Sequence, residues 1–217
     1  MSKDFRGVVW DVDGVLIDSE PLHLSSLMTT CARYGFDFDA VDNARWLGKS
    51  FIDMWQGIPE LRSFGLTLDE LRDEIVDLYI SRVDGAMARG PAPELVARLA
   101  ARDVVQACAS SSPRRIVEAN VAAVGVADYL SAVLGREDVA ERKPAPDLYL
   151  LAVERLGLAP ADCLAVEDTA SGLAAAKAAG LTAIAWPHAM TAAMDFSAAD
   201  YKLDDLTAFD WETVSGT

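Results

Sequence analysis

The sequence predicts an α/β protein, a doubly wound parallel sheet interrupted near its beginning by a block of helices. Two observations carry this. From residue 88 onward, short β-rich apolar runs alternate with helical patterns bounded by proline and glycine. That alternation marks strand–helix–strand units with helices on both faces of a parallel sheet. Between residues 18 and 87, apolar residues recur at helical spacing with no convincing strand among them.

The elements follow in chain order. Val8, Val9 and Trp10 begin a buried strand that runs straight into Asp11, Asp13, Asp18 and Glu20. "EPLHLSSLMTTCARYG" and "TLDELRDEIVDLYISRVDG" read as helices, the second with Leu68, Leu71, Ile75, Leu78 and Tyr79 on one packing face. "ARGPAP" (88–93) is the natural return linker. "DVVQACAS" (103–110) is a buried strand, and "SPRRIVEANVAAVG" a helix with Pro113 suited to its first turn and Gly125 to its end. "YLSAVLG" (129–135) is a further short strand. "APDLYLLAVERLG" is a helix ending at Gly157, "CLAVED" (163–168) a strand, "TASGLAAAKAAG" a helix closed by Gly180, and "LTAIAW" (181–186) a strand. The core is therefore expected from residues 1–15 and 88–217, and the inserted helical domain from 16–87.

A chain of 217 residues, 52% of them apolar, can bury a substantial core. No apolar run approaches the ~20 residues needed to span a bilayer, and "MSKDFRG" has no signal-peptide apolar region, so a cytoplasmic protein is expected. Cys31, Cys108 and Cys163 are odd in number and scattered. They read as reduced, packed thiols rather than as a disulfide framework or a zinc site. The net charge of -15 argues against a nucleic-acid or membrane partner, either of which would need a basic face. A small phosphorylated ligand stays possible, because one metal ion and one lysine create a local positive site. A monomer or weak homodimer is expected.

Ligands of open α/β sheets bind beyond the carboxyl ends of the strands. Asp11 and Asp13 stand at the end of the first strand, one residue apart, so in an extended segment their side chains point the same way. Gly14 then lets the chain turn. A solvated acidic turn is the bland reading of a lone Asp-Gly, but the pattern recurs. Ser110, Ser111 and Ser112 end the second strand, Glu167 and Asp168 end "CLAVED", and Lys143 lies in "ERKPAPD" ahead of another helix.

This order resembles the haloacid dehalogenase superfamily. Its first motif, DxDGxxxDS, is matched by "DVDGVLIDS", its second-motif serine by Ser110, its third-motif lysine by Lys143 and its fourth-motif acidic pair by Glu167-Asp168. The resemblance covers nearly the whole chain. The inserted helices, and "SEPLH" at 19–23, resemble the sugar-phosphatase and β-phosphoglucomutase branch, in which the insertion is a cap domain. One departure is Trp10, where the family usually has phenylalanine; a packing change only is expected.

The resemblance implies a Mg2+-dependent phosphatase acting on a small phosphorylated metabolite, a sugar phosphate foremost, through an aspartyl phosphate. Asp11 is then the nucleophile, and Asp13 the acid and base that serves the leaving oxygen and the hydrolytic water. A carboxylate approaching a phosphate dianion is repelled, by about 4 kcal/mol per charge pair at ~4 Å and an effective dielectric of ~20. An all-oxygen donor set suits Mg2+, and the implied ligands are Asp11, the Asp13 carbonyl and Asp168, with Glu167 close by. Ser110 and the helix start at Ser112–Pro113 would form an anion-binding corner, and Lys143 would offset charge on Asp11 and the phosphoryl group. Substrate contacts are expected from Gly14, Glu20, His23, Lys49, Ser111, Ser112 and Arg114.

Other signals carry less. "LGKS" (47–50) resembles the end of a phosphate-binding loop, but Asn43 stands where its first glycine would fall and no strand precedes it. His23 and His188 are the only histidines, and no GxSxG elbow accompanies the serines; His188 reads as a loop residue. A phosphoacceptor signalling domain would lack the second aspartate and the cap, and a non-catalytic phosphate- or metal-binding module would tolerate loss of Asp13. The nearer alternative is a β-phosphoglucomutase-type mutase. It is ranked second because Phe51 stands where that branch carries a phosphate-binding arginine, and Pro113-Arg114 where it carries lysine-asparagine.

Overall fold

The computed structural model describes residues 5–39, 42, 45 and 51–213. It separates into two compact units, Ser19–Val83 and the pair of segments Met1–Asp18 and Asp84–Thr217.

The described part of the first unit is helical: α1 (Glu20–Arg33), α2 (Phe51–Gly57), α3 (Pro59–Arg62) and α4 (Leu68–Ile80). A capping box starts α4. Glu70 N–H donates to Thr67 Oγ1 at 3.2 Å and Thr67 N–H to Glu70 Oε2 at 2.7 Å, so two otherwise orphaned donors are satisfied. Leu27, Cys31, Phe38, Met54, Ile58, Leu61 and Leu71 form its core. The buried stripe of α4 is wider than expected. Val76 is buried with Leu71 and Tyr79, whereas Leu68, Ile75 and Leu78 are half-buried.

The second unit holds a six-stranded sheet: β1 (Gly7–Trp10), β2 (Val105–Ala109), β3 (Ala132–Leu134), β4 (Cys163–Glu167), β5 (Thr182–Ala185) and β6 (Tyr201–Lys202). The order is β3-β2-β1-β4-β5-β6, with every pair parallel. Helices α5 (Ala92–Ala100), α6 (Arg114–Ala123), α7 (Asp147–Leu156) and α8 (Ala170–Ala178) connect the strands. Val8, Val9, Ala107, Leu164, Ala165 and Val166 are fully buried, as strands covered on both faces must be. Leu148, Tyr149, Ala152 and Leu173 share one core cluster with Val9, Ala107 and Ala165. Gly157 ends α7 at φ 68°, a left-handed closure that favours glycine.

Three further details depart from expectation. The strand read over 129–135 begins only at Ala132, because Ala127–Tyr129 take a 3-10 turn. β6 was not foreseen; it is two exposed residues paired with Ile184 and Ala185. Trp10 is more than a packing change. Its fully buried indole donates to Gln106 Oε1 at 3.0 Å, Gln106 Nε2 donates to the Val96 carbonyl at 2.9 Å, and the ring stacks on Trp211. A buried indole N–H needs an acceptor, and the neighbouring strand supplies it.

All three cysteines are free and buried. No helix among the described residues is long and apolar enough to cross a membrane. The strand order reverses between β1 and β4, so their carboxyl ends open the crevice in which such sheets bind ligands.

Candidate active site

The register between β1 and β4 brings the acidic residues together. Trp10 lies opposite Val166, and Asp11 N–H donates to the Val166 carbonyl at 3.0 Å, so Asp11 emerges beside Glu167 and Asp168. One carboxylate oxygen from each of the three lies within 4.8 Å of the others, and all three residues are buried. Lys143 enters from the loop before α7. Its Nζ donates to Asp11 Oδ1 at 2.8 Å, Glu167 Oε1 at 2.5 Å and the Ala109 carbonyl at 2.8 Å.

Glu167 is held on every side. Tyr149 OH donates to its Oε1 at 2.7 Å and Thr169 Oγ1 to its Oε2 at 3.1 Å. Gly172, in the first turn of α8, packs against the same carboxylate. A Cβ there would overlap the Glu167 carboxyl carbon and both oxygens, far inside the 3.0 Å below which real Cβ atoms do not approach.

Three carboxylates are buried together and Lys143 joins two of them, Asp11 and Glu167, and the electrostatics follow. Burial first, and then the Glu167 charge, push the Asp11 carboxyl well above the usual range, against the pull of Lys143. Burial likewise raises Asp168, although the His188 hydrogen bond opposes it. Burial alone would lower Lys143, but Asp11 and Glu167 outweigh it and hold the ammonium above the ordinary lysine value.

The residues present fit a Mg2+ ion. Asp168 Oδ1 is buried and has no hydrogen-bond partner, a costly state that a cation would relieve. The donor set is all oxygen. Gly14, at φ 77°, keeps the adjoining space open; a Cβ there would lie 2.8 Å from Asp168 Cγ.

Asp13 is turned to a different set of partners. Ser110 Oγ and Ser112 Oγ donate to its Oδ2 at 2.9 and 2.7 Å, and Asn120 Nδ2 to its Oδ1 at 3.1 Å. Pro113 takes the cap position of α6, and Ser111 is exposed. The Arg114 N–H already donates to Glu137 Oε2 at 2.9 Å. Arg114 itself is not brought to the carboxylates. Its guanidinium is held by the Val133 carbonyl at 2.8 Å and by Asp138, because the first turn of α6 packs beside β3.

Glu20 and His23 belong to the helical unit. Glu20 lies in the first turn of α1, and His23 stacks on Tyr79 at 4.4 Å. Lys49 lies outside the described residues.

Sequence reasoning missed Asn120, Tyr149, Arg89 and His188. His188 Nε2 lies 3.0 Å from Asp168 Oδ2. The one available signal was a histidine two residues beyond an apolar run that ends at the same edge of the sheet as the carboxylates.

A family model of haloacid dehalogenase-like hydrolases matches residues 5–180. Protein CbbY of Rhodobacter capsulatus is 32% identical over 218 residues, spanning 94% of this chain and 95% of that protein. The fructose-1-phosphate phosphatase YqaB of Escherichia coli (strain K12) is 30% identical over 184 residues, 85% of this chain and 97% of that one. Among solved structures, a mutant of CbbY from Rhodobacter sphaeroides in complex with xylulose-(1,5)bisphosphate aligns with a TM-score of 0.81 at 27% identity, covering 93% of this chain and 94% of that chain.

Proposed function

Because the chain belongs to the haloacid dehalogenase-like hydrolases, we propose that it is a Mg2+-dependent phosphatase of small phosphorylated metabolites, sugar phosphates foremost, working through an aspartyl phosphate on Asp11. The observation that carries this is the lysine-bridged cluster: Lys143 joins Asp11 to Glu167 beside an Asp168 oxygen that has no partner. Support for a sugar phosphate comes from relatives, one named a fructose-1-phosphate phosphatase and one that binds a pentulose bisphosphate.

In this reading an Asp11 oxygen attacks phosphorus in line, and the ester oxygen leaves with a proton from Asp13. Asp13 then takes a proton from the water that attacks the aspartyl phosphate, which frees inorganic phosphate and restores Asp11. Ser110, Ser112 and Asn120 orient the Asp13 carboxylate before substrate arrives. Lys143 keeps a positive charge beside Asp11, where negative charge accumulates during transfer. Bound Mg2+, held by Asp11, Asp168 and the Asp13 carbonyl with Glu167 behind, would supply charge screening between nucleophile and phosphate.

Phosphate release from p-nitrophenyl phosphate and a panel of sugar phosphates, with Mg2+ and with chelator, tests the reading. No metal-dependent release from any of them would refute it. Hydrolysis ranks above a mutase because Arg114, at a position where the mutase branch carries part of a lysine-asparagine pair, is committed to Val133 and Asp138. Supplying β-glucose 1-phosphate with a trace of glucose 1,6-bisphosphate checks this. Glucose 6-phosphate with little inorganic phosphate would reverse the order.

A further inference from the structure

His188 takes no part in the chemistry above, yet it sits in a built position. Its Nε2 lies 3.0 Å from Asp168 Oδ2, and its Nδ1 accepts from the Met190 N–H at 3.4 Å. A neutral imidazole carrying its proton on Nε2 satisfies both contacts at once. The loop that carries the ring is itself fixed. His188 N–H donates to Thr191 Oγ1 at 3.0 Å, and the Arg89 guanidinium donates to the carbonyls of Trp186 and Pro187 at 3.0 and 2.9 Å. Arg89 also lies 3.7 Å over the Trp186 ring and donates to the Gly14 carbonyl. One side chain thus ties the loop after β5 to the turn after β1.

The second observation is the other oxygen of the same carboxylate. Asp168 is only 2% exposed, and its Oδ1 is buried without a hydrogen-bond partner. A carboxylate pinned through one oxygen and bare at the other is costly alone and well prepared for a cation.

We propose that His188 is a positioning residue for the divalent cation: by holding Asp168 Oδ2 it reserves Oδ1 for the metal and tightens metal binding. The inference rests on the reading of Asp11, Glu167 and Asp168 as a Mg2+ site. Outer partners of metal-binding carboxylates typically contribute about 10–100-fold in affinity.

The test is metal binding without substrate, using the full chain, calorimetry with Mg2+ and electron paramagnetic resonance with Mn2+. His188→Leu removes the donor while keeping bulk, and His188→Gln places an amide N–H near the former Nε2. The His188→Leu protein should bind both ions about 10–100-fold more weakly, and His188→Gln should recover most of that loss. In phosphate-release assays the metal activation constant should rise for His188→Leu while kcat at saturating Mg2+ stays near the parent value. Should His188→Leu fail to fold by circular dichroism, His188→Ala takes its place under the same criterion. Equal affinity in the parent and the donor-free variant would overturn the role of His188 and leave the phosphatase reading standing. A parent chain that binds neither ion would overturn the metal site as well.

Discussion

Replacing Gly172 by alanine sets two opposing effects against each other. The residue lies in the first turn of α8 and is not among the glycines with positive φ, so alanine can adopt the backbone. Helix propensity alone then predicts a gain of up to about 1 kcal/mol. Against it stands the Glu167 carboxylate, which the new Cβ would overlap, so the carboxylate must move. Its retreat loosens the bonds from Lys143 and Tyr149, now 2.5 and 2.7 Å long. Hydrogen bonds to charged groups contribute about 1.5–3 kcal/mol each, so losing two costs about 3–6 kcal/mol. The steric effect wins, with a net loss of roughly 2–5 kcal/mol. At about 2–4 °C per kcal/mol for a chain of this size, the melting temperature should fall by about 10 °C. Thermal denaturation followed by far-UV circular dichroism, in chelator, reads this directly. Turnover should fall too, because Lys143 loses one of the carboxylates that place it beside Asp11. Shortening the carboxylate makes room, so Gly172→Ala combined with Glu167→Asp should be less destabilised than the sum of the single variants by about 0.5–3 kcal/mol. A Gly172→Ala protein that melts at or above the parent temperature would refute the reasoning.

Three further outcomes are expected. Trp10→Phe strands Gln106 Oε1 in the core, at a cost of about 1–3 kcal/mol by urea denaturation beyond the lost ring volume; adding Gln106→Leu should recover part of it, and strict additivity would contradict the pairing. Burial pushes the thiols of Cys31 up to about 11 and of Cys108 and Cys163 to about 12, so at pH 8 almost no thiolate is present. The native chain should therefore leave Ellman's reagent uncoloured until denaturant is added, and prompt reaction of any thiol in the folded protein would count against that burial. Asp11→Asn should abolish turnover in a folded protein, whereas Asp13→Asn should slow sugar phosphates more than aryl phosphates, whose leaving groups need little protonation; equal losses for the two substrate types would remove Asp13 from the acid role.

Strand–helix alternation was legible because each element announces itself locally. Apolar runs such as "DVVQACAS" and "CLAVED" contain β2 and β4 within two residues at each end, and Gly157 marks the close of α7 by its own conformational freedom. β6 was not legible, since two exposed residues carry no burial pattern and owe their strand geometry to the edge of β5. The same line divides the candidate site. Asp11, Lys143, Glu167 and Asp168 could be singled out because each stands next to a local boundary, a strand end or a helix start.

What those residues touch was decided by tertiary structure alone. The order β3-β2-β1-β4-β5-β6 sets β1 against β4, and that pairing places Asp11 beside Glu167, 156 positions away in sequence. Asn120 reaches Asp13, Tyr149 reaches Glu167, and His188 reaches Asp168 across separations that no periodicity spans. The sequence by itself determined which chemistry could be assembled, because side-chain type and backbone preference are properties of single residues and short windows. Which carboxylate keeps a lysine, which turns to serines and which is left with a bare oxygen depended on the packing of distant segments, because burial, distance and charge exist only once the chain is folded.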